Sequence, residues 1–386
     1  MPFTPAVARE TTRLWTTSWN CTRHASLNDT AIERFASELD LTAVAAFDPP
    51  NTHTFPELTF ASPWHEAGFI CLTHALDFGS GFRALLHAHR NGQGAWLTIR
   101  AGLIHLAQYL SDTAGTESSK LARISVDSVK SLFDIEHDSL ELLAIQIHSV
   151  IVELGTVLSM RLKMDSLAEF VRSVVGPGPS QSPDLCEAAL PPCARLADAL
   201  VRHFPITFRD EYAMETCNRY APDLSSGASI RVAFFKKAQL TVSEMFLAAR
   251  QRHNSCAHSE VPHADVVFLH NELGKDWDQL TAFVDNVVVA CLRFRGIIVC
   301  SNALTNAIES GTCIAIGSPE EVSLRACGLA AVDRLTAWCN FRGASAEPPA
   351  VKITVPQMCN YLWGCYGKKS GVRSFKRHSV PETLFY

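Results

Sequence analysis

The stretch LTAFVDNVV, Leu280 to Val288, sets one carboxylate, Asp285, among Leu280, Phe283, Val284, Val287 and Val288. Carried on to Leu292, the apolar side chains fall at 280, 283, 284, 287, 288, 291 and 292, the 3.6-residue period of a helix. A carboxylate at the margin of an apolar stripe loses hydration, and that cost calls for a compensating role. Two roles stand open on the residues alone. Asp followed by Asn at a helix head makes an N-cap, and a partly desolvated carboxylate is a candidate for chemistry.

Outward from this stretch most segments also read as helix. Ser318-Pro319-Glu320-Glu321 predicts an N-cap at Ser318, proline at the first helical position and a capping box closed by Glu321. Leu140 to Met160 is long, apolar and free of proline. The best strand signals are GFICLTHALDF (Gly68–Phe78), which reads equally as a buried helix, and IRVAFF (Ile230–Phe235). Residues 174–185 and 253–263 read as Pro/Gly/Ser- and His-containing loop insertions. The predicted fold is mainly α with a minor β component. Residues 1–45 are read as an N-terminal extension with the first helices, and 46–386 as one domain.

The composition narrows the function. The chain has 386 residues, 47% hydrophobic and 19% charged, with a formal net charge of -5. Neutralising many phosphates of a nucleic acid polymer needs the opposite balance, so a small-molecule substrate is expected and a polynucleotide is not. The apolar runs fall short of a membrane span, and MPFTPAVARETTRLW lacks the apolar core of a signal peptide. The 13 cysteines are scattered without a C-x-x-C pair and read as reduced thiols of a cytoplasmic protein.

Three constellations compete with bland readings. His253, Cys256, His258 and His263 are four ligand-type side chains in one loop, but they lack the tight paired spacing of structural zinc, so no metal is expected. GSGFRA (Gly79–Ala84) matches G-x-G-x-x-A, yet no acid follows about twenty positions on, and a Gly-rich turn between packed elements is expected instead. Lys236 and Lys237 in FFKKAQ, and the tail KKSGVRSFKRH (Lys368–His378), are either phosphate-binding cations or a solvated face.

Several segments together resemble the queuosine salvage protein family, the queuosine 5'-phosphate N-glycosylases. FICLTHALDFGSGFR (Phe69–Arg83), GQGAWLTIRAG (Gly92–Gly102), FPITFRDE (Phe204–Glu211), VAFFKKAQ (Val232–Gln239), LTAFVDNVV with LRFRGII, EEVSLRACGLAAVDRL, YLWG and the terminal Phe385-Tyr386 follow one another in the family's order. The resemblance implies a helical domain related to helix-hairpin-helix DNA glycosylases. It implies hydrolysis of queuosine 5'-monophosphate to free queuine, with no cofactor and a monomeric enzyme. The family's catalytic aspartate lands on Asp285. Phe283, Asn286, His53, Asp77, Lys236, Lys237 and Asn360 are the implied substrate contacts. Where family members carry base-binding acids around Tyr-Leu-Trp, this chain has Cys359 and Gly364, with Asn360 the nearest polar substitute. The alternatives are a non-catalytic nucleotide-binding relative, or an N-glycosylase for another modified nucleoside.

Overall fold

Helix ends in this chain are set by capping residues, and the caps correct two sequence readings. The computed structural model describes residues 2–47, 55–110, 116–176, 189–215, 229–256, 264–344 and 351–386. The elements that build the core and the site are helices α1 (Pro5–Thr16), α2 (Pro63–Ala75), α3 (Arg83–His89), α4 (Ala95–Leu110), α5 (Glu141–Thr156), α6 (Leu167–Val175), α7 (Lys236–Cys256), α8 (Asn286–Phe294), α9 (Pro319–Ala344) and α10 (Val355–Gly364). Strands β1 (Ala25–Leu27), β2 (Glu211–Glu215), β3 (Ser229–Ala233) and β4 (Ile298–Cys300) complete the frame. Among the described residues they pair as two antiparallel ribbons, β1 with β4 and β2 with β3. The fold is mainly α with a minor β component, as the sequence predicts.

The apolar stripe at 280–292 is helical only from Asn286, where α8 begins. Residues 280–285 run extended, held by the Gln239 side chain, which accepts from the Thr281 amide and donates to the Thr281 hydroxyl, both at 2.8 Å. The period misleads because the segment is buried on every side, so apolar residues are required whatever the backbone does. GFICLTHALDF resolves for the same reason into helix, as most of α2. Ser62 caps it, Pro63 opens it, and residues 67–76 are all buried. Gly68 is needed there: a Cβ would lie 2.6 Å from the Ala168 backbone nitrogen, so α6 could not approach.

At α9 the expected capping box is half formed. The Ser318 hydroxyl accepts from the Glu321 amide at 3.3 Å, but the Glu321 carboxylate reaches the Gly317 amide instead of the Ser318 amide. Its other oxygen is drawn to Arg325 at 3.4 Å and accepts from the Tyr386 hydroxyl at 3.1 Å. Arg325, fully buried, grips Asp210 with both guanidinium nitrogens and lies 4.1 Å over the Phe234 ring. Although burial opposes the charge, Asp210 holds the Arg325 pKa well above its ordinary value. Burial raises the Glu321 carboxyl while Arg325 pulls it down.

α1 and β1 are built into this core, with Trp15 fully buried and β1 paired to β4. The segment Asp138–Leu162, which contains α5, is long and apolar enough to cross a membrane by length and composition. This corrects the expectation that no run reaches that length. Of its apolar 18-residue stretch, 56% is buried within the protein, the position of a core helix.

The buried ion network dictates a stability prediction. Arg325→Met strands Asp210 and Glu321 without their cation and should cost about 3–5 kcal/mol. Replacing all three side chains with apolar ones of similar volume should recover most of that loss. Urea unfolding of the single and triple variants measures both.

Candidate active site

Asp285 is the N-cap of α8, with extended backbone at φ -118°. Its Oδ1 accepts from the amides of Val287 and Val288, both at 2.8 Å. Its Oδ2 accepts from the indole Nε1–H of Trp363 on α10 at 3.0 Å. The residue is only 9% exposed and lines a cavity of about 790 Å³, a volume suited to a drug-sized or nucleotide-sized ligand. Burial raises the Asp285 pKa, while Lys236, the Val288 amide and Arg377 pull it back and Asp77 pushes it further up. Capping and desolvation are therefore both true of Asp285.

The cavity gathers residues from distant parts of the chain. Asp77 and Ser80 come from the turn between α2 and α3, Arg83 from the start of α3, Lys236 and Glu244 from α7, and Asn360 and Trp363 from α10. The turn that the sequence offered as a dinucleotide loop is instead a left-handed Gly79 (φ 99°) followed by a short 3-10 helix over Ser80–Phe82. Lys236 enters the cavity because Phe235 adopts φ 49°, a strained value for an aromatic residue, at the start of α7. Its Nζ bonds Asp77 Oδ2 at 3.0 Å.

Arg83, Arg373 and Arg377 converge on the cavity wall. Burial, and then the charges of Arg377 and Arg373, lower the Arg83 pKa, as expected of guanidiniums forced together. Among the described residues none of the three forms an ion pair. Arg83 and Arg373 are exposed and Arg377 is half-buried, so the three bring positive charge to one stretch of the cavity wall. Beside them His378 is buried beneath the Tyr386 ring at 5.6 Å, with neither ring nitrogen bonded, and burial pushes its pKa down to about 3. It is a neutral imidazole.

Of the implied substrate contacts, Phe283, Asn286, Asp77, Lys236 and Asn360 line this cavity with Asp285. Asn286 donates to the Ser80 hydroxyl at 3.0 Å, which ties α8 to the Gly79 turn. Lys237 is the correction. It is fully buried in the core, donating to the carbonyls of Ala75 and Leu384 with its ammonium 4.9 Å over the Phe78 ring. Burial and Lys236 push its pKa down to about 7, and it staples α2 to the C-terminal segment instead of meeting a ligand. Consecutive helical residues point about 100° apart, so both lysines could not face one cavity. His53 lies outside the described residues, as do His258 and His263 of the loop weighed for metal. His253 stacks on the His270 ring at 4.7 Å.

The family assignment rests on the ordered residues behind this geometry: the family model described as queuosine salvage protein matches residues 101–386. The chain belongs to the queuosine salvage protein family. No curated protein matches it. Membership places the protein in queuosine salvage; Asp285 lies in the matched region, while the part of the cavity wall between Asp77 and Trp96 lies just before it.

Sequence reasoning missed Trp363 as a partner of Asp285, and it missed the Arg83–Arg373–Arg377 grouping. The signal existed: Arg83 closes the GSGFRA turn, and Arg373 and Arg377 sit in the basic tail. Nothing in the sequence joins segments almost 300 residues apart. Cys359, where the resemblance leads one to expect an acid, is part of the scaffold: its Sγ accepts from the Phe283 amide at 3.2 Å, and burial pushes its thiol up to about 12.

A raised folded-state pKa means that ionised Asp285 costs stability above that pKa, and the cost vanishes once the pH falls below the unfolded value. Asparagine caps a helix as well as aspartate does. Asp285→Asn should therefore raise the melting temperature at neutral pH, with the gain shrinking as the pH is lowered through the acid range. Calorimetric scans of both proteins across pH check the sign.

Proposed function

We propose that this member of the queuosine salvage family hydrolyses the N-glycosidic bond of queuosine 5'-monophosphate, releasing queuine and ribose 5-phosphate. The observation that carries this reading is Asp285, a buried carboxylate with one oxygen committed to the helix amides, in a cavity also lined by three arginines that form no ion pair among the described residues. Cleaving a ribosyl C–N bond builds positive charge at C1′ and O4′, as in other oxocarbenium-like cleavages. The Oδ2 side of Asp285 stabilises that charge and accepts a proton from the attacking water. The water oxygen bonds C1′, the glycosidic electron pair leaves with the base, and the water proton balances the base as free queuine. A 7-deazapurine has no N7 to protonate, so the base must be stabilised through its hydrogen-bonding edges.

The 5'-phosphate is placed among Arg83, Arg373 and Arg377, whose planar guanidiniums suit bidentate contacts. Lys236, already held by Asp77, serves next to the carboxylate, where its charge favours ionised Asp285. The queuine side chain carries an ammonium. Glu244, two turns beyond Lys236 on the same face of α7, brings a carboxylate to the cavity in a chain that lacks the family acids at 359 and 364.

Incubation with queuosine 5'-monophosphate and mass spectrometry for queuine is the direct test; no release by the parent protein would overturn the reading. Asp285→Asn should lower single-turnover release by a hundredfold or more, roughly the loss of one electrostatic stabiliser. Arg373→Ala or Arg377→Ala should weaken monophosphate turnover by about 1.5–3 kcal/mol while leaving the free nucleoside nearly unaffected. Equal losses on both substrates would make the arginines structural. Glu244→Gln should narrow the preference for queuine over 7-deazaguanine, measured by competition binding.

A further inference from the structure

Asp285 has two oxygens with different duties. Oδ1 is saturated by the amides of Val287 and Val288, and among the described residues Oδ2 accepts from the Trp363 indole N–H at 3.0 Å. Trp363 also lines the cavity, so its donor reaches the carboxylate from the cavity wall. The indole is itself held. The short 3-10 turn over Tyr366–Lys368 that follows α10 is pressed against α8, so closely that a Cβ on Gly367 would lie 3.0 Å from Val287 Cγ1. Lys368 Nζ lies 5.9 Å over the Trp363 ring.

We propose that Trp363 is the positioning residue of the Asp285 carboxylate, fixing Oδ2 toward the cavity and favouring its charged form through the donated N–H. The proposal rests on the hydrolase reading above for its catalytic consequence. Its physical content is independent of that reading. A hydrogen bond donated to the charged form of an acid favours that form. Buried among apolar side chains, Asp285 is opposed by desolvation and by Asp77, with Lys236 from α7 and Arg377 from the C-terminal segment in its favour. The thiols of Cys291 on α8 and Cys359 on α10 also face it, both pushed up to about 12 and so uncharged. Among these groups Trp363 is the side chain that donates directly to a carboxylate oxygen. A tryptophan suits the task because its donor is rigid, carries no charge and cannot itself titrate.

The test replaces the donor and keeps the ring, using the full-length chain. Trp363→Phe removes the N–H, and incorporation of benzothienylalanine at 363 puts sulfur where the N–H stood with almost no change of shape. The carboxyl carbon of Asp285, assigned by its absence in Asp285→Asn, is titrated by carbon NMR. Removing the donor should move that titration upward by about one pH unit in both variants. The acidic limb of the kcat profile for base release should move up with it, with kcat lowered about tenfold or more, KM nearly unchanged and the melting temperature of the benzothienyl protein retained. A titration that stays where it was in the folded benzothienyl protein overturns the proposal, whatever happens to activity. A parent that releases no queuine while its Asp285 titration responds to the loss of the donor overturns the hydrolase reading and leaves the positioning role standing.

Discussion

The contact on which the site depends most is the buried grip of Arg325 on Asp210. A guanidinium and two carboxylates are removed from water together, which is tolerable because both terminal guanidinium nitrogens meet carboxylate oxygens, although Arg325 Nε finds no partner among the described residues. Asp210 also accepts from the Phe234 amide through its own carbonyl at 2.9 Å, and Arg325 covers the Phe234 ring. This holds the end of β3 rigid up to Phe235, whose strained φ turns Lys236 into the cavity. On its other side the network binds the Tyr386 hydroxyl through Glu321, and the Tyr386 ring forms part of the cavity wall. One ionic cluster thus fixes two walls of the site from behind.

Within the cavity the electrostatics conflict by arrangement. Asp285 is buried deeply enough to raise its pKa, yet cations on two other elements favour its charge. The helix amides secure one oxygen, so the same residue that closes α8 can present the other. A capping role and a chemical role are compatible here because a carboxylate has two oxygens. The sequence question of cap or catalyst assumed an opposition that the geometry removes.

The departures from the family pattern have local explanations. Cys359 occupies a buried position where its sulfur meets the Phe283 amide, a setting in which an ionised acid would bear a large desolvation cost. Acidic character at the cavity is carried instead by residues on other elements, Asp77 and Glu244.

The sequence by itself determined the helical class, because capping residues, prolines and apolar periods are local signals, and IRVAFF gave a strand for the same reason. It singled out Asp285 through the cost of placing a carboxylate in an apolar stripe, and the ordered motifs carried the family. It misplaced the start of α8 and left α2 ambiguous, because segments buried on all sides lose the periodic contrast that distinguishes helix from strand. Only the tertiary structure decided which of two adjacent lysines meets the cavity, since that depends on the φ of Phe235 and the packing behind it. Only the tertiary structure joined Arg83 to Arg373 and Arg377, and Trp363 to Asp285. Those pairings span 78 to almost 300 residues of chain, and no local propensity encodes a contact between side chains that the fold alone brings together.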